Sequence, residues 1–501
     1  MAPSTPLGSS KRGPMNIHKI CFGINSKVFS ISPSMGSMSL SSFLRDKEHL
    51  KGTKIVCAEG DCGACAVLID RSGRGKYEPV NSCIFPMIAL EGAHIVTIEG
   101  LSEAYPSHPV KEALIESLGS QCGFCTPGFM VTLSNFYERS LTKKCPPQKE
   151  TIKLGCSGHL CRCTGYQDIL SGAIKAFEQK ASLNPLHEVF GEVREKIFNQ
   201  TKKDIFYKDE NQLLAIPATM SRALSWKAEY PEIKILGGAT DLGVEANKRE
   251  LFFQSWMSLK NIDELSRLQK KKDGRYEIGA NVSLTSVRRA LKKDHPEFSE
   301  FLKNFASPNI RHVGTLVGNI VTASPIGDVL PYLVLNDAEV TLMSLRGVRH
   351  VKINDFFCGY RQTCLGADEI VASITLFPRD MGATIMLQKV SKREHMDIST
   401  LSIAVKGQMI DGRLAHFACV FGGMAATVER DSVFEDQWNG LTLEELKAKK
   451  VSLAQVYKPL SDHRGSSRYR LTVAENLLRG FFERLTTSSI KAAPKAEEGV
   501  L

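Results

Sequence analysis

The sequence predicts an α+β protein of several domains, and three observations carry that prediction. At 501 residues the chain has length for about three domains and for more than one core. Ten of its fourteen cysteines lie from Cys57 to Cys163, and eight of these form two sets of four. From Tyr207 onward cysteines become sparse, and strand and helix patterns mix. The composition, 43% hydrophobic and 24% charged, is that of a soluble globular chain. The formal charge of +10 is small per residue, and no long basic run interleaves with aromatics, which argues against nucleic acid as a partner.

No apolar run approaches the roughly 18 residues a membrane span requires. The opening MAPSTPLGSSKRGPMN lacks the apolar core of a secretory signal and has no twin-arginine motif, so residues 1–16 are expected as a disordered tail. A second disordered tail is expected over 491–501. The chain is expected to be cytoplasmic, where thiols stay reduced and act as metal ligands more often than as disulfides.

From Ile17 to Ser32 apolar and polar residues alternate, predicting a hairpin that turns at Asn25-Ser26. Ser39–Leu50 has a short amphipathic helical pattern, and AVLID (Ala66–Asp70) and HIVTIEG (His94–Gly100) read as strands, with RSGRGK a turn between them. A small mixed sheet, one helix and a cysteine-bearing loop make a ferredoxin-like plan over 17–100. Helices are expected over 101–180. Pro109 opens one that Gly119 closes, and Thr126-Pro127 supplies the N-cap and first turn of another reaching about Arg139. Ile169, Leu170, Ala173, Ile174 and Phe177 share a face of a third, within Tyr166–Lys180. A linker over 181–203 leads to an α+β domain over 204–380. There Ile233–Lys248 reads strand, glycine turn, helix, and a strand follows near Ala338–Met343. A subdomain over 381–490 carries strands at Leu401–Met409 and Leu414–Phe421 and a helix at Val473–Leu485.

Cys57, Cys62, Cys65 and Cys83 read C-x4-C-x2-C followed by a fourth cysteine, the spacing of a plant-type 2Fe–2S ferredoxin. Two bridged irons take four thiolates, of which a tight loop supplies three. Gly60 and Gly63 let that loop fold closely around the sulfides and expose amides to them. Cys122 and Cys125 form C-x2-C, answered by Cys161 and Cys163 as C-x-C. Beside the first motif this set reads as a second iron–sulfur site, and a structural zinc site is the other chemistry it admits. Cys125 lies just ahead of a helix, whose N-terminus would face the cluster's negative charge. Cys21, Cys145, Cys156, Cys358, Cys364 and Cys419 join no ligand-spaced group and read as core or incidental positions. GGATDLG (Gly237–Gly243) is either an ordinary turn or a backbone cradle for a pyrophosphate; it is not G-x-G-x-x-G, so no Rossmann fold is inferred.

At EGDCGAC, QCGFCTPG and LCRCTGY the chain closely resembles the molybdenum hydroxylase family, which includes xanthine dehydrogenases and aldehyde oxidases, and all eight cysteines are in place. His159 stands where the family usually has asparagine, and reads as a loop histidine. The likeness runs on through GGATDLG, Phe305, GTLVGNIVTASPIGDVLP (Gly314–Pro331), FFCGYRQT (Phe356–Thr363), EIVAS (Glu369–Ser373), KVSKRE (Lys389–Glu394), FGGMAAT (Phe421–Thr427) and PLSDHRGSSRYR (Pro459–Arg470). It covers residues 17 to 490. The fold it implies is a ferredoxin-like β-grasp domain, an all-α helical iron–sulfur domain and an α+β FAD-binding domain of the non-Rossmann type, with a C-terminal α+β flavoprotein subdomain.

The resemblance implies an FAD held between two subdomains. Leu236, Gly237, Gly238, Ala239, Thr240, Asp241, Leu242 and Gly243 would contribute one turn, and Thr315, Gly318, Asn319, Ile320 and Asp328 the facing one. Phe305 and Val371 would pack near the cofactor, with Lys389 close by. Tyr360 is implied near the flavin face, with an interior tyrosine as the other reading. Gln121 would approach a molybdopterin held by a large partner subunit, in a heterodimer or a dimer of heterodimers. Electrons from a purine hydroxylated there would pass through the Cys122/Cys125/Cys161/Cys163 cluster and then the Cys57/Cys62/Cys65/Cys83 cluster to FAD, with NAD as acceptor. No residue of this chain would itself perform the hydroxylation. After KVSKR the family usually carries adjacent aspartates, whereas EHMDI leaves only Asp397, which bears on the nicotinamide site. The alternatives are a family member that oxidises an aldehyde or an N-heterocycle, a stand-alone flavin iron–sulfur carrier, and a zinc-stabilised scaffold.

Overall fold

A computed structural model describes residues 18–143, 147–179, 183–200, 202–249 and 254–487; both expected tails and Cys145 lie outside these described residues. The first domain is a five-stranded sheet in the order Lys27–Ile31, Ile20–Ile24, His94–Val96, Ala66–Asp70, Glu78–Asn81. The two strands at its centre, Ile20–Ile24 and His94–Val96, run parallel, while the other pairs are antiparallel. Alternation places Ile20, Phe22 and Ile24 in the core, and the hairpin turns at Asn25 with φ +51°. A helical turn at Leu40–Ser42 continues into a π-helical turn at Phe43–Lys47, burying Leu40, Phe43 and Leu44 under the sheet.

Two expectations change here. HIVTIEG is a strand only to Val96, because the Thr97 hydroxyl accepts from the Gly100 amide and caps a helix, Ile98–Ala104. Residues 181–203 do not form an open linker. Leu186, Phe190, Val193 and Ile197 repeat at helical spacing and are all buried, within helices Leu186–Val189 and Gly191–Phe198. Arg194 ties this segment to the first sheet: its Nη2 donates to Asp70 Oδ2 at 3.1 Å and to the Gly73 carbonyl at 3.0 Å. Asp70 is fully buried and also accepts the amides of Ser72, Gly73 and Gly75.

The second domain packs helices Pro109–Glu116, Thr126–Lys143, Lys149–Gly155 and Gln167–Glu178 around Val110, Ala113, Leu133, Phe136, Ala173 and Phe177. Leu118, not Gly119, takes the left-handed turn that ends the first of these helices, at φ +54°. Thr126 is the first helical residue rather than the cap, and its hydroxyl pairs with that of Ser120 at 2.8 Å.

Among the described residues the remaining chain builds four sheets, one of them the two-stranded hairpin of Phe357–Gly359 and Gln362–Thr363. Ile205–Lys208, Gln212–Ile216, Gln254–Ser258 and Lys234–Leu236 form the first in that order, the last three strands parallel. Its Leu214, Ile216 and Trp256 share one apolar core with Ile88 and Phe85 of the first domain. A five-stranded antiparallel sheet follows, with Ile370–Leu376 in its centre. The C-terminal sheet, Thr384–Val390, Leu401–Ile410 and Arg413–Gly422, is covered by the Ser467–Thr487 helix, whose Phe481 and Phe482 pack on Phe417. Among the described residues no helix is long and apolar enough to cross a membrane.

Burial pushes His94, His108, His159, His295 and His312 down to about 4 from an ordinary 6.5. Between those values the unfolded chain binds more protons than the folded one. Stability is therefore complete above pH 6.5 and falls as pH drops toward 4. Urea midpoints measured from pH 8 to 4 should hold level and then decline below about 6.5; a flat profile to pH 4 contradicts the assignment.

Candidate functional site

The Cys57–Cys65 loop turns at three left-handed positions, Ala58, Gly60 and Gly63, at φ +56°, +83° and +69°. These turns bring its thiols back toward Cys83. Cys57 is hydrogen-bonded to Cys62 and Cys83, and Cys65 to Cys83. The contacts hold Cys57 well below the ordinary thiol value and raise Cys62 and Cys83. Cys62, Cys65 and Cys83 are buried, leaving Cys57 partly accessible. Among the described residues no three His, Cys, Asp or Glu side chains converge to hold a single metal ion. The four thiols form one connected set, Cys62 to Cys57 to Cys83 to Cys65, a donor set that fits two bridged irons.

The second set is paired, Cys122 with Cys163 and Cys125 with Cys161. Cys122 and Cys163 are exposed, as is Gln121 beside them, while Cys161 is buried. Cys161 Sγ lies 3.2 Å from Thr164 Oγ1, and its amide donates to the Tyr166 hydroxyl at 3.1 Å. Cys125 immediately precedes the Thr126–Lys143 helix, and its carbonyl accepts the Phe129 amide at 3.2 Å. Cys156 stands apart in the helical core, its thiol pushed up to about 12 by burial.

The two sets meet at backbone distance. The Leu160 amide donates to the Cys62 carbonyl at 3.0 Å. His159, 4% exposed, packs its Nδ1 edge against Gly63, while its Nε2 lies 2.8 Å from Thr132 Oγ1. Its ring lies 4.9 Å from that of Phe129. A β-carbon on Gly63 would come within 2.3 Å of His159 Nδ1, and one on Gly128 within 2.3 Å of the Gly63 carbonyl oxygen. Glycine at both positions is what lets the second domain sit on the first loop.

On the other side lies the glycine turn. Gly237 to Ala239 joins strand Lys234–Leu236 to helix Thr240–Lys248, with Ala239 at φ +63°. A β-carbon on Gly238 would reach within 2.1 Å of the Val313 carbonyl, and one on Gly237 within 3.2 Å of Thr315 Oγ1. Thr315 caps helix Leu316–Val321 by accepting from the Gly318 amide at 2.9 Å, and Thr322 Oγ1 donates to Asp241 at 2.9 Å. The two predicted turns thus face each other. Asn319 Oδ1 is buried there without a protein partner, an unmet acceptor that fits a bound cofactor.

Arg311 fixes Phe305 by donating to its carbonyl at 2.6 Å. Asp328 accepts from Lys389 Nζ at 2.7 Å and from Ser399 Oγ, and Val371 is buried in its strand. Leu236 and Ile320 are core residues behind the turns, and Leu242 is half-buried against the first domain's core. Tyr360 is 57% exposed on a hairpin turn, so the interior reading is wrong.

Gly243 packs against the residue that follows Cys83, where a β-carbon would lie 2.0 Å from the Ile84 carbonyl. One turn along the same helix, Asn247 Nδ2 donates to the carbonyls of Ala58 and Cys83, both at 2.8 Å. Asn309 donates to Asn81, which donates to the Gly60 carbonyl. Arg393, in KVSKRE, and Lys248 offset the burial and the Glu59 and Cys57 charges that raise Asp61. Asn247, Asn309 and Thr132 belong to no motif, and only the fold brings them to the loops.

Three family models match the chain: a 2Fe-2S binding domain at 97–174, an FAD binding domain in molybdopterin dehydrogenase at 209–379, and a CO dehydrogenase flavoprotein C-terminal domain at 387–485. Together with the paired thiols, these define an iron–sulfur flavoprotein. The chain is 29% identical over 494 residues to a xanthine dehydrogenase/oxidase of Gallus gallus, covering 82% of this chain and 35% of that protein. It is 32% identical over 413 residues to xanthine dehydrogenase 1 of Arabidopsis thaliana, covering 68% and 30%. It thus spans about a third of the length of the curated relatives it matches. Among solved structures, a chain of the reconstituted CO dehydrogenase from Oligotropha carboxidovorans matches at TM-score 0.51 and 22% identity, covering 56% of this chain and 98% of that one. A chain of quinoline 2-oxidoreductase from Pseudomonas putida 86 matches at TM-score 0.51 and 19% identity, covering 57% and 99%. The chain belongs to the molybdenum hydroxylase family and carries its iron–sulfur and flavin portion.

Gly243→Ala forces a β-carbon into the Ile84 carbonyl, a backbone group that cannot rotate away. It should cost about 1–3 kcal/mol, read as a lower urea midpoint, as overpacking does elsewhere. Gly480→Ala, with no atom within 4 Å of the added carbon, should leave the midpoint level or raise it.

Proposed function

We propose that this chain is the electron-transfer subunit of a xanthine dehydrogenase, relaying electrons from a molybdopterin-bearing partner to NAD during oxidation of a purine to urate. One observation carries the reading: the first cysteine loop is held between the second set, through Leu160 and Cys62, and the flavin portion, through Asn247 and Cys83. That contact order matches a relay from the exposed set to the buried set to the flavin cradle. When bound, two 2Fe–2S clusters supply one-electron storage and FAD supplies the exchange between one- and two-electron chemistry.

The chain's own residues then have distinct tasks. Exposed Cys122 and Cys163, with Gln121, form the face a molybdopterin partner meets. Cys57, Cys62, Cys65 and Cys83 hold the inner cluster away from water, which limits wasteful reaction with dissolved oxidants. Gly237, Gly238 and Thr240 present backbone amides to the FAD pyrophosphate, with Thr315, Gly318 and Asn319 opposite. Lys389, paired with Asp328, keeps a positive charge beside the flavin. Relatives named as xanthine dehydrogenases, from animals and plants, support purine as the substrate class. The single Asp397 in EHMDI makes the nicotinamide site the part that departs most from the family pattern. Cytoplasmic residence follows from the reduced thiols.

The test is an anaerobic absorption spectrum of the complex purified from its host, before and after xanthine. Bleaching of the flavin and iron–sulfur bands, reversed by NAD, is the expected result. Bleaching by dithionite but not xanthine moves the substrate to an aldehyde or another N-heterocycle. A colourless protein containing zinc sinks the relay altogether.

A further inference from the structure

His159 lies outside both thiol sets and outside the cradle, yet it is buried between the sets. Its Nδ1 edge packs against Gly63 of the first loop, and its Nε2 is hydrogen-bonded to Thr132 Oγ1 at 2.8 Å, on the helix that begins beside Cys125. The ring therefore spans from the first loop to the second domain. The next residue, Leu160, donates its amide to the carbonyl of Cys62 and is bonded covalently to Cys161. Cys62 and Cys161 are thus joined by one hydrogen bond and a single intervening residue. Gly63 and Gly128 remove the β-carbons that would otherwise hold this contact apart.

We propose that His159 is a positioning residue that keeps the Leu160–Cys62 hydrogen bond closed, so that this bond is the electron path between the two thiol-held clusters. The proposal rests on the functional reading above, in which both sets carry 2Fe–2S clusters. The step is a one-electron exchange: iron held by the second set is oxidised, iron held by the first is reduced, and no bond or proton changes hands. The side chain works through geometry. It is buried, bonded to Thr132 and tilted against Phe129, so it fixes the backbone at 159–160 against the loop at 62–63.

Two measurements on the full chain with its partner test this. Hydrogen–deuterium exchange reads the Leu160 amide, expected to be protected in the unaltered protein and to exchange faster in His159→Ala. Pulsed photoreduction reads electron equilibration between the clusters, expected to slow about tenfold in His159→Ala, the lower end of what removing an outer-shell partner costs at metal sites. Iron, sulfide and flavin content are measured first. A protein without iron in its thiol sets fails the functional reading and this proposal with it, before any variant is compared. With both clusters present, an unchanged rate in His159→Ala overturns the proposal alone. His159→Asn keeps a hydrogen-bonding side chain for the Thr132 hydroxyl and should restore the rate; a variant as slow as His159→Ala assigns the effect to lost ring packing and overturns the tie. Should His159→Ala lose iron, Thr132→Val decides instead: slower equilibration supports the proposal, and an unaltered rate overturns it.

Discussion

The short loop from Cys57 to Cys65 is approached at backbone distance from two sides, and the placement of every other domain answers to that constraint. Gly63 accepts the second domain, with Gly128 and His159 pressed against it, while Gly243 and Asn247 of the flavin portion close on Ala58, Cys83 and Ile84. Carbonyls of the loop take donors from Leu160, Asn81 and Asn247. Each such bond contributes about 0.5–1.5 kcal/mol net. Their larger effect is on distance, because electron exchange between separated centres is governed by spacing and by the bonds between them.

The shared core carries the same logic into packing. Leu214, Ile216 and Trp256 of the flavin portion interleave with Phe85 and Ile88 of the first domain, so the two do not meet as separate bodies across a polar seam. The helices at 186–198 close the first sheet on its other flank, with the Arg194–Asp70 pair buried at the joint. Removing one partner of such a pair leaves an uncompensated charge, costing about 3–5 kcal/mol. The arrangement is a fixed scaffold.

The thiol sets were legible because ligand spacing is a local property: loops a few residues long must bring sulfurs together, and sequence preserves those counts. The glycine turn at 237–239 was legible for the same reason. The contact of Gly243 with Ile84 was not legible, because a glycine near a phosphate turn and a glycine at an interdomain contact look alike along the chain. Asn247 and Asn309 were invisible for a related reason. Their partners Cys83 and Asn81 lie 164 and 228 residues away, and a lone asparagine has no pattern. The helical stripe of Leu186, Phe190, Val193 and Ile197 was present to be read, but ASLNPLHE ahead of it signalled a break. His159 was visible only as a departure from the family's asparagine, and burial gave it meaning.

The depth of the first set bears on the order in which the molecule is made. Cys65 and Cys83 are 1% and 3% exposed, and Val244 and Ile310 of the flavin portion lie directly over them. Once the flavin helix has docked, no machinery delivering iron and sulfide reaches those sulfurs without prising the domains apart. A cluster held by this set would therefore be installed on a partly folded chain, and docking would then seal it in. The outer set, with Cys122 and Cys163 at the surface, remains open to loading until a partner covers it. Maturation would run from the inside outward, the reverse of the path proposed for the electrons.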